Sequence, residues 1–105
     1  MKQRSKDQQL HDKICLAIGQ KHLIEFTYQR LRRIAEPHDY GEMNGSEQLL
    51  VYQVEGESRS GRLPDWRLIR VSQMSRLQVL DRAFPGNRTV PSGKHKQWER
   101  LFIRV

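Results

Sequence analysis

The sequence contains one cysteine and no long apolar run, and each shortage excludes a class of protein. The single thiol, Cys15, cannot form an internal disulfide framework, which is typical of a reducing compartment. No apolar stretch approaches the length of a membrane span, and the N-terminal segment MKQRSKDQQLHDK lacks the apolar core of a secretory signal. We therefore expect a cytoplasmic protein that does not enter a membrane.

Acidic residues are also in the minority. Lysine and arginine total 19 against 12 for aspartate and glutamate, which gives a net charge of +7 over 105 residues. Such an excess favours polyanionic partners, namely nucleic acid, nucleotides or an acidic protein. The same charge also fits a protein that is merely basic, so composition alone leaves this choice open. The length fits a single domain with a modest core.

Sequence signatures of catalysis and of metal binding are missing. The chain has no phosphate-binding glycine motif, no clustered metal ligands and no nucleophile with a recognisably placed base. The four histidines are dispersed over the chain and are interpreted as ordinary surface or hydrogen-bonded residues. They are His11, His22, His38 and His95. We therefore predict a protein that is not an enzyme and that has no cofactor and no catalytic or metal-binding residues.

Hydrophobic periodicity predicts one short helix near the N-terminus. Residues 1–8 are polar and are predicted to form a disordered tail. Over Gln9–Gly19 the apolar residues fall on one helical stripe, so this helix should cover an apolar core. The stripe consists of Leu10, Ile14, Ala17 and Ile18.

Five later segments have the apolar patterns that are typical of strands. They are His22–Gln29, Leu31–Tyr40, Gln48–Glu55, Trp66–Arg70 and Arg76–Leu80. Pro37 restricts the second segment to a sheet edge or a bulge, because proline has no backbone N–H to donate. Only Val71–Ser75 separates the last two segments, which indicates a strongly bent sheet, as in a small barrel.

The composition changes after Phe84, where prolines, glycines and cations predict an extended basic arm. The chain then ends with the strongly apolar segment QWERLFIRV. Its residues Trp98, Leu101, Phe102 and Ile103 are too apolar to be left in water. We predict that this segment adds a strand to the sheet edge, either in the same chain or in a second copy within a homodimer. The predicted organisation is a tail at 1–8, a helix and barrel at 9–84, and an arm with an apolar end at 85–105.

Arginine and aromatic residues interleave in the strand region and predict an anion-binding face. The guanidinium fork binds phosphate bidentately, and aromatic rings stack on bases. The candidates are Arg33, Tyr52, Trp66, Arg67 and Arg70. Because Arg67 and Arg70 are three residues apart, a bend or a bulge is needed to bring both to one rim. The alternative is that the aromatic residues belong to the core and the arginines to a solvated rim.

In their order and spacing these segments resemble the WYL domain, a bacterial ligand-sensing module. The resemblance runs from about Leu10 to Phe84. It is carried by Phe26-Thr27-Tyr28, Arg33-Ile34-Ala35-Glu36-Pro37, Leu49-Leu50-Val51-Tyr52, Arg67-Leu68-Ile69-Arg70-Val71 and Leu77-Gln78-Val79-Leu80. Two departures stand out. The tripeptide that names the family falls on Glu47-Gln48-Leu49, and an expected Asp-Arg pair falls on Ser72-Gln73.

The resemblance implies a small Sm-like, SH3-type barrel of about five bent antiparallel strands with an N-terminal helix. It also implies a regulatory module that binds single-stranded nucleic acid or a nucleotide-type ligand. Carried over by position, the implied contacts are Arg33, Tyr52, Arg67 and Arg70, with Trp66 beside them. A second hypothesis is a protein-interaction or assembly module that uses the apolar C-terminal segment.

Overall fold

The computed structural model describes residues 6–59, 61–88 and 98–105, which form one α-helix and a six-stranded antiparallel sheet. The elements are α1 (Lys6–Gln20), β1 (His22–Tyr28), β2 (Leu31–Met43), β3 (Ser46–Gly56), β4 (Asp65–Arg70), β5 (Ser75–Ala83) and β6 (Arg100–Arg104). The predicted mainly β class with an N-terminal helix is confirmed. The helix begins at Lys6, three residues before the predicted start. Most of the predicted tail and of the basic arm lies outside the described residues.

The strands follow the order β4-β3-β2-β1-β5, and β6 pairs with β2. Among the described residues β4 and β5 are the two ends of this path and are not paired with each other, so a closed barrel is not confirmed. A 3-10 helix at Val71–Gln73 joins these two strands. Because the chain passes between opposite ends of the sheet within residues 71–74, the sheet must be strongly curved.

Two tight turns fix the registers of β1–β2 and β2–β3. Gln29 and Arg30 have φ values of 54° and 65°, and Asn44 and Gly45 have φ values of 53° and 75°. Two successive positive φ values are typical of the two-residue hairpins that match the twist of antiparallel strands. β2 and β3 thereby extend beyond the predicted segments Leu31–Tyr40 and Gln48–Glu55, up to the Asn-Gly turn.

A bulge places Pro37 inside the central strand β2. Pro37 still pairs with β3, but the next pair in register begins at Asp39, so His38 is the additional residue. On the other side of β2, pairing with β1 ends at Ala35 and pairing with β6 begins at Asp39. Pro37 thus lies where no neighbouring strand needs its missing N–H. The bulge alternative of the sequence prediction is confirmed.

The helix packs on one face of the sheet, which we call the core face. Ile14, Ala17 and Ile18 of α1 are buried there, in the same core cluster as Leu49 and Val51 of β3. Since side chains alternate along a strand, Gln53 also lies on the core face, and the residues between them lie on the opposite face. No α-helix in the described part of the chain is long and apolar enough to cross a membrane.

The C-terminal segment pairs with β2 of the same chain. The register runs from Asp39 opposite Arg104 to Glu42 opposite Arg100. Phe102 packs against the core, whereas Leu101 is 40% exposed. β6 thereby occupies the part of the β2 edge that β1 leaves open.

Candidate anion-binding site

Two of the five predicted site residues, Arg33 and Arg67, lie together on the core face. Arg33 of β2 is paired with Phe26 of β1, and Arg67 of β4 is paired with Val51 of β3. Residues directly opposite each other on paired strands share a face, and both partners belong to the main core. The two guanidinium groups therefore extend the core face at one end of the sheet.

The side chain of Arg33 is buried among neutral groups. The residue is only 3% exposed. Its Nη1 donates to Gln53 Oε1 at 3.2 Å, its Nη2 to Gln29 Oε1 at 3.2 Å and its Nε to the Tyr28 carbonyl oxygen at 3.4 Å. The guanidinium also lies 5.5 Å from the centre of the Tyr28 ring. No carboxylate of the described residues forms an ion pair with Arg33, so within this part of the chain its charge has no counter-ion.

Arg67 lies closer to solvent, under the loop that joins β3 to β4. Its Nη2 donates to Ser58 Oγ at 2.6 Å and to the Arg62 carbonyl oxygen at 3.3 Å. Its Nη1 is 3.4 Å from Asp65 Oδ2. Arg59, in the same loop, is exposed. Strand β4 therefore adds a second arginine near Arg33, Arg67, and the loop adds a third, Arg59.

The electrostatic effect of this arrangement is visible at Arg33. Burial of the guanidinium lowers the pKa of Arg33 from its usual value, and the positive charge of Arg67 lowers it further. Arg59 acts in the same direction, while Tyr28 opposes the shift. A lowered arginine pKa means that the surroundings disfavour the cation, and an anion placed between these side chains would relieve that cost.

The other predicted site residues lie elsewhere. Tyr52 and Trp66 face each other across β3 and β4 on the face opposite the core, with ring centroids 5.0 Å apart and both rings buried. β3 and β4 pair without a register shift, so Arg70 points away from the side of Arg67 and is exposed. The rim of three arginines beside Tyr52 is therefore not formed, because the bulge that it requires is absent from β4.

A polar cluster that sequence reasoning missed occupies this opposite face. Glu36 is buried, and Arg88 donates two hydrogen bonds to its carboxylate. One of them runs from Nε to Oε1 at 2.7 Å. His38 is also buried, with its Nε2 3.1 Å from Glu36 Oε1 and its ring 4.7 Å from the Trp66 ring. Burial lowers the pKa of His38, and the hydrogen bond with Glu36 opposes the shift. His38 is therefore a neutral core residue at pH 7.

A second buried carboxylate, that of Asp39, is held by the C-terminal segment. Arg104 approaches it with Nε and Nη2 at 3.0 and 3.1 Å, and Trp98 Nε1 donates to it at 3.4 Å. The two carboxylates within the predicted strand, Glu36 and Asp39, were a signal that could have revealed these sites. Their partners lie 52 and 65 residues further along the chain, which local sequence patterns do not show.

A chain of hydrogen bonds connects the helix to β2 and β3. Tyr40 donates its hydroxyl proton to Glu47 Oε1 at 2.6 Å. The Tyr40 hydroxyl oxygen must therefore accept a hydrogen bond from His11 Nδ1, which lies 2.9 Å from it. His11 Nε2 is then the acceptor 3.7 Å from Cys15 Sγ. Burial, Asp12 and Glu47 raise the pKa of Cys15. A protonated thiol is a weak nucleophile, so this chain has the character of a structural link.

The lowered pKa of His38 leads to a prediction about pH. In the unfolded chain a histidine gains a proton near pH 6.5, whereas the buried His38 gains it only at a lower pH. The contribution of His38 to the stability of the fold is therefore complete above pH 6.5 and is lost as the pH falls below that value. We expect the free energy of unfolding to decrease between about pH 7.5 and about pH 5. Glu36, Asp39 and Arg88 are the charged groups that act on the ring.

Chemical denaturation at several pH values checks this expectation. His38→Gln should flatten the pH dependence, whereas His22→Gln, at the half-buried start of β1, should retain it. An unchanged slope in His38→Gln would contradict the assignment of the pH dependence to this ring.

The searches for similar proteins found no match. No protein-family model, no curated protein and no solved structure matches this chain. Within residues 6–59, 61–88 and 98–105, no group of three or more histidine, cysteine or acidic side chains is placed to hold a metal ion. Fold and site thus define a mainly β domain with a cluster of arginines, of which Arg33 is buried. The WYL resemblance depends only on the residues that carry it in the sequence.

Proposed function

We propose that this protein is a non-enzymatic, WYL-like regulatory module of the cytoplasm that binds a phosphate-bearing ligand. The ligand class is single-stranded nucleic acid or a nucleotide-type anion. The observation that carries the proposal is the buried guanidinium of Arg33, whose hydrogen-bond acceptors are all neutral. An uncompensated buried charge is costly, and a phosphate of the ligand supplies the missing negative charge.

The arrangement suggests an order of contacts. Arg59 is exposed and Arg67 is partly exposed, so the incoming phosphate meets these two side chains first. Arg33 lies behind them and strengthens the positive potential without itself reaching solvent. Tyr28, beside Arg33, replaces Tyr52 and Trp66 as the aromatic residue nearest to the cations. In this proposal the curved sheet acts as an Sm-like barrel.

Substitution of Arg67 tests the position of the site. Each arginine that contacts a phosphate contributes about one unit to the slope of log affinity against log salt. Arg67→Ala is therefore expected to weaken binding of a short single-stranded oligonucleotide and to flatten that slope. Titration of a labelled oligonucleotide across a salt series measures both quantities.

Arg82→Ala is the matched control for this experiment. Arg82 is an exposed arginine of β5 that forms a 2.7 Å ion pair with Glu55. Glu55 is paired with Ile34 and therefore lies on the face of the sheet opposite Arg33. It should leave the salt slope nearly unchanged. Absence of binding by the parent to oligonucleotides and to nucleotides at low salt would exclude the proposal. An equal loss of oligonucleotide affinity in Arg67→Ala and in Arg82→Ala would exclude the Arg33–Arg67 site.

A second candidate function is an assembly module, as the exposed apolar residues suggest. Leu16 of α1 is 50% exposed and Leu101 of β6 is 40% exposed, and these two elements are in contact. Large apolar side chains in water favour association. If this function is correct, sedimentation will show a dimer. The substitution Leu16→Lys should dissociate this dimer, whereas high salt should leave it intact. A monomer at all concentrations would exclude it.

A further inference from the structure

The face opposite the core carries a row of three buried side chains that the proposed anion site does not use. Glu36 of β2 is directly opposite Tyr52 of β3, and Tyr52 is directly opposite Trp66 of β4. Sheet pairing therefore sets a carboxylate, a phenol ring and an indole side by side. All three residues lie within paired strands, β2, β3 and β4, and none of them lies in a loop.

Arg88 occupies this row in the structure. Its Nε and Nη2 donate to the two carboxylate oxygens of Glu36, and its guanidinium carbon lies 4.4 Å from the centre of the Tyr52 ring. Bidentate pairing and stacking on an aromatic face are the two contacts that distinguish arginine from lysine. The row thus has the chemistry of a pocket for an arginine side chain.

This pair differs from the ordinary surface ion pairs of the protein. The carboxylate of Glu36 is only 3% exposed, whereas those of Glu25 and Glu55, which pair with Arg32 and Arg82, are 27% and 48% exposed. A carboxylate in water needs no partner, but a buried one strongly favours a cation. Without Arg88, the described residues leave Glu36 with a single contact, His38 Nε2.

The occupant, in contrast to the pocket, lies at the periphery. Arg88 follows β5 on a segment without helix or strand. Among the described residues, the last backbone hydrogen bond before it is that of Phe84 N–H to the Lys21 carbonyl oxygen, 2.9 Å. The side chain of Arg88 is 33% exposed, so the guanidinium enters from the solvent side. Withdrawal of Arg88 would leave the three strands paired and Glu36 available.

We propose that Glu36, Tyr52 and Trp66 form an arginine-binding pocket. Arg88 fills it as an internal ligand, and an arginine side chain of a partner polypeptide takes its place when Arg88 is withdrawn. This inference is independent of the anion site, because the pocket has the opposite charge preference and lies on the other face of the sheet.

The test removes the Arg88 side chain from the pocket and adds a peptide that contains arginine. Arg88→Ala should bind acetyl-Gly-Arg-Gly-amide, measured by NMR titration, about tenfold more tightly than the peptides with lysine or citrulline in place of arginine. The parent and the Arg82→Ala control should bind the arginine peptide much more weakly, since Arg88 fills their pocket. The double variant Glu36→Gln/Arg88→Ala should lose the preference for arginine.

Two outcomes would overturn the proposal. One is a folded Arg88→Ala variant that binds the three peptides equally. The other applies if Arg88→Ala does not fold alone. Methylguanidinium at millimolar concentration should then raise its unfolding midpoint, whereas methylammonium at the same ionic strength should not. The parent protein is the reference in both the methylguanidinium and the methylammonium salt. If methylguanidinium does not raise the unfolding midpoint of Arg88→Ala, no guanidinium pocket exists.

Discussion

A chain that lacks residues 97–105 is expected to lose most of its stability. The deletion removes β6 from β2, takes Phe102 from the core and leaves the buried carboxylate of Asp39 without Arg104 and Trp98. Loss of one partner of a buried ion pair costs about 3–5 kcal/mol, which is a large part of a total stability of about 5–15 kcal/mol. Thermal and chemical unfolding, together with the mass in solution, measure the effect.

Single substitutions separate the contributions of β6. Arg104→Ala should destabilise the protein by about 2–3 kcal/mol, less than a fully buried pair because Arg104 is half exposed. Arg100→Ala, in the same strand and without an ion pair among the described residues, should change stability by less than about 0.5 kcal/mol. If the truncated chain keeps both its stability and its mass, the pairing of β6 with β2 is wrong.

Gly41→Ala gives an independent test of the same contact. A Cβ atom at Gly41 would lie 2.4 Å from the carbonyl oxygen of Arg100, so β6 would have to move away. Gly19→Ala meets no atom within 4 Å and is the matched control. We expect the first substitution to destabilise the protein and the second to leave it unchanged or slightly more stable, because alanine favours a helix.

The second large effect is expected at the helix. Ile14→Ala should lower the free energy of unfolding by about 2–5 kcal/mol, the usual range for truncation of a buried isoleucine. Ile14 is fully buried in the main core, in contact with the sheet. The cost arises from lost apolar burial and from the cavity that remains. Urea denaturation measures it as a shift of the midpoint without a change in slope.

Leu16→Ala is the control for the helix. Leu16 lies on the same helix but is 50% exposed, so its truncation should change stability by about 0.5 kcal/mol or less. Equal effects of the two substitutions would show that α1 is not docked through Ile14.

Local patterns determined the elements and their order. The apolar stripe through Ile14 and Ile18 predicted the helix, and alternating residues predicted the strands that the structure contains, because 3.6-residue and two-residue periods are set by local backbone geometry. Pro37 predicted a sheet edge or a bulge, since a residue without a backbone N–H is tolerated only where strand pairing is interrupted. The Asn44-Gly45 turn was a local signal that the sequence analysis did not use.

Only the tertiary structure decided which side chains meet. Arg33 and Arg67 were predicted together and lie together, whereas Arg70 depended on a bulge in β4, and pairing with β3 leaves no room for one. Tyr52 and Trp66 are aromatic neighbours of the arginines in sequence, yet strand alternation puts them on the opposite face. The sequence also left open whether the C-terminal segment packs in the same chain.

The buried carboxylates show the physical reason for this division. Glu36 and Asp39 are visible in the sequence as charges within a strand, and burial makes a counter-ion necessary. The sequence does not state which of its 19 lysines and arginines provides that charge, because Arg88 and Arg104 reach β2 only after the chain has folded back over the sheet. The sequence by itself therefore determined the strands and the need for partners, and long-range packing chose the partners.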